Sequence, residues 1–366
     1  MQLETLEASN FRNISGKIAF SDGLNFLFGD NGQGKTNWLE AISVLATTRS
    51  FRTAKLQEAI RFEEEIAVID GFVKVSGEIT RELRALIQER VKQFAINGKR
   101  ESVPNYLGQL HAVVFTADEL AVVRGGPEFR RRFLDEAVVA VHPPFSGTIA
   151  EYARVIKQKN ALLQTARDQE YSIERTAELL EPWNQQLALL ATKIHRSRVR
   201  IVERLNEVLE KRLFSSEVVS IRYASSLEGK GDLASYEPLI TDRLRTRVQA
   251  ELVSGHALIG THRDDLEITF DGRDIRKYGS SGQQRSAYLL LLLANIAVYF
   301  GTRNEYPLFL IDDIDAELDH DRIGRLLEFL QGKTQTIVTT SKLNIIHEFG
   351  VGSEAFRIAS GTAKPL

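Results

Sequence analysis

The run Gly29-Asp30-Asn31-Gly32-Gln33-Gly34-Lys35-Thr36 fills the pattern G-x-x-x-x-G-K-[ST]. It constrains the fold because it works only as the turn between a strand and a helix. Both flanks fit. Leu24–Phe28 reads as a buried strand, and residues 37–46 place apolar side chains at helical spacing. Gly29, Gly32 and Gly34 permit backbone conformations and close approaches that a Cβ would block. The loop's N–H groups can then point at phosphates, and the helix N-terminus favours their negative charge. Lys35 is expected to reach the β- and γ-phosphates and Thr36 to hold Mg²⁺. Asp30, Asn31 and Gln33 complete a candidate cradle for ATP or GTP. The plainer reading, a glycine turn ahead of a helix, has to set this context aside.

Up to about residue 115 the chain is mostly strand-like. Strands are expected at Leu3–Ala8, Leu24–Phe28, Ile66–Val75, Leu83–Gln88, Gln93–Ile96 and Ala112–Phe115, with a hairpin turn at Asn97-Gly98. From Pro127 the pattern turns to long helices. Leu187, Leu190, Ile194, Ile201, Leu205 and Val208 form one apolar stripe. A second helix near Ile149–Ala166 should pack antiparallel to it, across a polar link, Arg167–Pro182, broken by Pro182. After Ser254 come short strands, an apolar helix, and two strong strand signals at 307–311 and 336–340. This order predicts an α/β nucleotide-binding domain in two parts, 1–125 and 256–366, split by a helical insertion, 126–255. Continuous apolar strands such as Leu308–Ile311 belong inside a covered sheet, whose strand ends hold ligands.

The chain's 366 residues suffice for such a domain with an insertion. It has no cysteine, which excludes disulfides and thiolate metal sites and suits a reducing cytosol. The N-terminus lacks the features of a signal peptide. The apolar run 287–300 is interrupted by Asn295 and reads as a buried helix, too short to span a bilayer. A cytoplasmic protein with no membrane partner is expected. The net charge of −2 means that any nucleic acid must meet a local basic surface.

Leu308-Phe309-Leu310-Ile311-Asp312-Asp313 is an apolar strand ending in two carboxylates. Asp312 is placed to hold Mg²⁺ with Thr36, and Asp313 to orient or deprotonate a water. Lys35, Asp312 and Asp313 are thus the candidate catalytic set; a strand ending in a polar turn is the alternative. Upstream, Tyr278-Gly279-Ser280-Ser281-Gly282-Gln283-Gln284-Arg285 opens the apolar helix. Alone it is a common serine-glycine loop. Ahead of the acidic strand it resembles the L-S-G-G-Q signature of ABC-type ATPases, with Ser280, Gly282 and Gln283 in place and Ser281 for the first glycine. In that family the signature closes on nucleotide held by the other subunit. Ala316-Glu317-Leu318-Asp319 resembles the D-loop of the same interface.

Further segments extend the likeness. Asn10-Phe11-Arg12-Asn13, the stretch from Gly32 to Ile42, Ser50-Phe51-Arg52, Gly126-Pro127 with Arg130-Arg131-Arg132-Phe133-Leu134-Asp135, Lys159–Leu163 and Gly260–Leu266 resemble signatures of the RecF family. These are bacterial DNA replication and repair proteins related to the SMC group of ABC ATPases. The resemblance implies an ABC-type P-loop ATPase head of mixed sheets and helices with a short inserted helical lobe. It implies ATP and Mg²⁺ as ligands and an ATP-dependent homodimer on gapped duplex DNA or single-strand/double-strand junctions. It further implies weak DNA-stimulated ATP hydrolysis, and cooperation with RecR and RecO in loading RecA. The chain departs from the family at Thr261, where proline is usual, and at Lys159, where arginine is usual. Asp313 stands where most ABC ATPases have glutamate, which predicts slow hydrolysis. Thr340 takes the place of the switch histidine, and no Q-loop glutamine stands near Phe115-Thr116-Ala117.

Candidate DNA contacts are Arg130 and Arg131, with Arg196, Arg198 and Arg200 on the long helix; a solvated helix face is the competing reading. The absence of interleaved aromatics favours duplex backbone contacts over base stacking. Arg12 is a candidate phosphate contact or else a surface arginine beside the first strand. His262 and Arg263 fit contact or structural roles equally. Two other functions share the phosphate loop: an ABC-type subunit of a transporter and a P-loop small-molecule kinase.

Overall fold

The computed structural model describes residues 1–76, 79–212 and 217–366. The chain forms two compact units. The first comprises Met1–Ala121, Lys211–Glu217 and Ser280–Leu366, and the second Val122–Glu210 and Val218–Gly279.

The first unit holds two six-stranded sheets. One is antiparallel, with strands in the order Ile14–Ala19, Gln2–Phe11, Ile66–Ser76, Ile79–Gln88, Lys92–Ile96 and Lys99–Glu101. Asn97 and Gly98 both take positive φ, 49° and 76°, as a two-residue hairpin turn requires. The other sheet runs Thr362–Pro365, Glu354–Ala359, Leu24–Phe28, Thr336–Thr340, Leu308–Ile311 and Ala112–Phe115. Its last five strands are parallel, and the first pairs antiparallel as a hairpin. The helix Lys35–Thr47 packs against strands of both sheets. It is therefore buried on most sides: Trp38, Leu39, Ile42, Val44 and Leu45 are fully buried, and so is the charged Glu40.

Two consequences position the site. The phosphate loop and Asp312 follow strands that flank Thr336–Thr340 on either side, so the end of that strand lies between them. The helix Ser281–Arg303 covers Ala112–Phe115, with Tyr288 stacked on Phe115 and donating to the Val114 carbonyl at 3.2 Å. That helix is longer than the apolar run suggested. It is long and apolar enough to cross a membrane by composition, yet 67% of that window is buried within the fold.

The second unit packs helices Pro127–Val141, Phe145–Asp168 and Ile173–Leu209 with a three-stranded antiparallel sheet, Arg273–Asp274, Asp265–Phe270 and Val219–Ala224. The expected break at Pro182 does not occur, because a single helix of 37 residues runs through it. Proline removes one hydrogen bond, to the Glu178 carbonyl, while the buried stripe on either side holds the helix together. The link shrinks to residues 169–172, and the helices on either side pack antiparallel. Between them Lys159 is fully buried, its ammonium 2.7 Å from Glu251 and 2.8 Å from the Asn184 amide oxygen. Residues 218–279 pack with the helices. Gly260–Leu266, placed by sequence in the last part of the nucleotide domain, thus belongs with the helical unit. The strand Ile14–Ala19 was not anticipated.

A candidate nucleotide site and its neighbours

The phosphate loop is held from both sides. Gly34 sits at φ 109°, and a Cβ there would lie 2.8 Å from the Asn13 amide oxygen. A Cβ on Gly29 would meet the Ile358 carbonyl at 2.4 Å, so glycine is required at both positions. The hairpin tip donates from Ser360 N–H to the Gln33 side chain at 2.8 Å and from Gly361 N–H to its carbonyl at 2.9 Å. Gln33 thereby anchors the loop. The Lys35 ammonium folds over it, donating to the carbonyls of Gly29 at 2.7 Å and Asp30 at 3.1 Å and to the Asn31 side chain at 3.4 Å. A cation held over a curl of backbone is suited to phosphate.

Thr36 donates its hydroxyl to Asp312 Oδ1 at 3.0 Å, and Thr339 donates to the same oxygen at 2.8 Å. Burial pushes the Asp312 carboxyl up to about 6, with Asp313 adding to the rise and the two hydroxyls opposing it. A divalent cation would reverse that direction. Among the described residues no cluster of three or more acidic, histidine or cysteine side chains could hold a metal alone. One carboxylate and one hydroxyl as hard oxygen donors fit Mg²⁺, which commonly draws its remaining ligands from phosphates and water. Asp313 stands in the left-handed region, φ 44°, at the start of the short helix Ile314–Glu317, and its N–H donates to Thr339 Oγ1 at 2.7 Å.

Ser280 caps the helix Ser281–Arg303. Its hydroxyl accepts from the Gln283 N–H at 3.2 Å, and the Gln283 side chain accepts from the Ser280 N–H at 2.9 Å. This reciprocal box satisfies two N–H groups of the helix start, and Ser280, Ser281 and Gly282 there are exposed. A Cβ on Gly282 would meet nothing within 4 Å. Arg285, a turn further on, reaches Glu317 in the D-loop-like segment at 3.0 Å.

Other candidates are placed differently. Arg12 directs its guanidinium at buried Glu40, at 2.9 and 3.1 Å, and at the Glu58 carbonyl, so it braces the helix of the phosphate loop. Arg130 and Arg198 are buried and cannot track a DNA backbone. Arg130 forms a two-pronged pair with Asp265 at 2.7 and 2.9 Å, and Arg198 one with Asp135 at 2.8 and 2.9 Å. Burial alone would weaken the Arg198 charge, and Asp135 more than restores it. Arg131 is half-buried and donates to the Asp264 carbonyl at 2.8 Å. Arg196 and Arg200 are exposed, on one face with Lys193. His262 is structural: it bonds Tyr152 at 2.8 Å, and burial pushes its pKa down to about 4. Sequence reasoning missed Thr339, whose signal is only a polar residue in a buried strand. It also gave no role to Arg52, which donates to Asn37 at 2.6 Å and lends positive potential to Asp312.

The RecF/RecN/SMC N terminal domain family matches residues 2–363. The DNA replication and repair protein RecF of Halothermothrix orenii is 33% identical over 99% of this chain and 98% of its own. That of Shouchella clausii is 34% identical over the full length of both. The chain belongs to the RecF family. Among solved structures, the recombination mediator protein RecF-ATPrS in the RecFOR pathway superposes with a TM-score of 0.90 at 28% identity, covering 100% of this chain and 98% of that one. An SMC head bound to the C-winged helix domain of ScpA gives 0.53 at 16% identity and supports the ABC-type head fold alone. RecF membership spans both units, including Gly260–Leu266 and Arg130–Asp135. The transporter and kinase readings accounted only for motifs of the first unit.

Proposed function

We propose that this RecF-family chain is an ATP-dependent DNA-binding protein of recombinational repair and replication restart, acting in the cytoplasm. One observation carries the nucleotide reading. Thr36 and Asp312, 276 residues apart, meet at 3.0 Å beside a lysine-capped glycine loop. Lys35 would move from the loop's own carbonyls to the β- and γ-phosphates, and Thr36 and Asp312 would hold Mg²⁺. When bound, the ion neutralises charge on the β- and γ-oxygens. Asp313 would orient a water for in-line attack on the γ-phosphorus. The bond to the β–γ bridging oxygen breaks, giving ADP and phosphate. As the shorter carboxylate, Asp313 makes this slow.

The open, capped helix start at Ser280, Gly282 and Gln283 suits the γ-phosphate of ATP held by a second copy. Contacts of that kind exist only while the γ-phosphate does, so ATP favours a dimer and hydrolysis dissolves it. On DNA, exposed Lys193, Arg196 and Arg200 would track duplex phosphates. The RecF relatives make gapped duplexes and junctions the substrates to try, with RecR, RecO and RecA as the downstream partners.

Sedimentation with and without ATP and Mg²⁺, repeated with gapped duplex, tests this reading. A nucleotide-dependent dimer that carries DNA is expected. A monomer indifferent to both would leave only the nucleotide site standing. Ser280→Arg should bind ATP and remain monomeric.

A further inference from the structure

Thr339 and Thr340 are consecutive in one strand, so their side chains leave on opposite faces. Both are fully buried. Thr339 grips the acidic turn from one side, donating to Asp312 and accepting the Asp313 N–H. Thr340 goes the other way and donates to Asp315 Oδ1 at 2.7 Å. Asp315 also accepts from the Ser341 hydroxyl at 3.2 Å and its N–H at 3.4 Å, with the Lys342 ammonium 3.8 Å away. One carboxylate, 7% exposed, thus fastens the loop after the strand to the helix Ile314–Glu317. The same residue also reaches the phosphate loop: the Thr340 carbonyl accepts the N–H of Gly29 at 3.4 Å.

Between these grips lies Asp313, in a left-handed conformation that L-residues adopt at a cost of about 1 kcal/mol or more. Such a turn persists only where its surroundings hold it. We propose that Asp315 is a positioning residue for ATP hydrolysis, fixing the turn that aims Asp313 relative to the phosphate loop. The partners of Asp315 are Thr340, Ser341 and Lys342. This rests on the reading of Asp313 as the carboxylate that orients water. A residue acting only through Asp313 affects the chemical step and leaves ATP binding alone, so its signature is a change in kcat without one in KM.

The test is steady-state ATP hydrolysis with Mg²⁺ and duplex DNA for wild type, Asp315→Ala, Thr340→Val, Thr340→Ser and the double variant Asp315→Ala with Thr340→Val. Thr340→Val deletes the hydroxyl at nearly constant shape, and Thr340→Ser retains it. Expected is a fall in kcat of about 10- to 100-fold for Asp315→Ala, since small misplacements of reacting groups cost on that order. Thr340→Val should fall in the same direction with KM within about twofold, Thr340→Ser should recover, and the double variant should be no slower than Asp315→Ala. Wild-type kcat in both Asp315→Ala and Thr340→Val, beside an active wild type, overturns the proposal and leaves Asp313 in its role. A raised KM at unchanged kcat overturns it as well. If wild type itself does not turn over ATP, the reading of Asp313 and this proposal fall together. Should Asp315→Ala not fold, the two Thr340 variants decide the matter.

Discussion

The chain carries two concentrations of positive charge, and they are put to opposite uses. At the phosphate loop Lys35 faces only carbonyls and one amide, so its charge is available to an incoming anion. In the helical unit, Arg130 and Arg198 face Asp265 and Asp135, and their charge is already spent. The two arginine runs look alike in sequence. On a helix, however, neighbouring residues point about 100° apart. Arg196 and Arg200 share an exposed face, and Arg198 turns inward between them. Charge marks a ligand site only where the fold leaves it without an anion of its own.

The harshest way to break this contrast is to remove a spent charge. Arg198→Ala strands Asp135 and the Thr261 carbonyl, which accepts from Arg198 at 2.9 Å. Breaking a buried pair from one side costs about 3–5 kcal/mol. Urea unfolding should show that loss, and Arg196→Ala should shift stability by no more than about 0.5 kcal/mol. Equal effects would mean that the buried pair holds nothing together. Removing the available charge should do the reverse. Lys35→Ala strands no opposite charge, only carbonyls and an amide, so it should cost less stability than Arg198→Ala. It should lose about 10²- to 10³-fold in ATP turnover, the usual loss for a group that stabilises developing charge. Wild-type turnover would remove Lys35 from the site.

Legibility divides along the same line. The strands Leu24–Phe28 and Ala112–Phe115 could be read residue for residue, because apolar runs, broken only by Asn25 in the first, end at glycine or polar residues. The phosphate loop was legible because its function needs contiguous residues. The strand Ile14–Ala19 was not, since Ser15, Gly16 and Lys17 interrupt its alternation and only Ile14 and Ile18 are buried. Pro182 misled because local propensity yields to a long buried stripe. The partners of Asp312 and Asp315 come from across the sheet, and nothing local in the sequence announces Thr339 or Thr340 as their donors. Arg198 could have been suspected, since its spacing from Ile194 and Ile201 puts it beside the apolar stripe.

Acid should not distinguish the two regions, which limits the contrast to arginine and lysine. Each contains a histidine pushed down to about 4, chiefly by burial: His111, stacked on Tyr299 in the first unit, and His262 in the second. An unfolded histidine takes its proton near pH 6.5, whereas these resist until about 4. The stability each contributes is therefore complete above about pH 6.5 and lost as pH falls toward 4, by about 3 kcal/mol apiece. His111→Phe, which keeps a ring against Tyr299, should flatten the stability–pH curve between pH 6.5 and 4 by one histidine's share. An unchanged curve would mean that His111 reaches solvent.

The smallest effect bears most directly on DNA. Replacing Arg196 and Arg200 by glutamine leaves the buried pairs of the helical unit intact, so stability and ATP binding should stay at wild type. For every phosphate that is no longer neutralised, the slope of log affinity against log salt should fall by about 1. Affinity should weaken equally for unrelated duplex sequences, because phosphate contacts carry no base information. A double variant that binds duplex DNA with the wild-type salt slope would show that the exposed stripe is a solvated helix face. The DNA surface would then have to be sought outside the helix Ile173–Leu209.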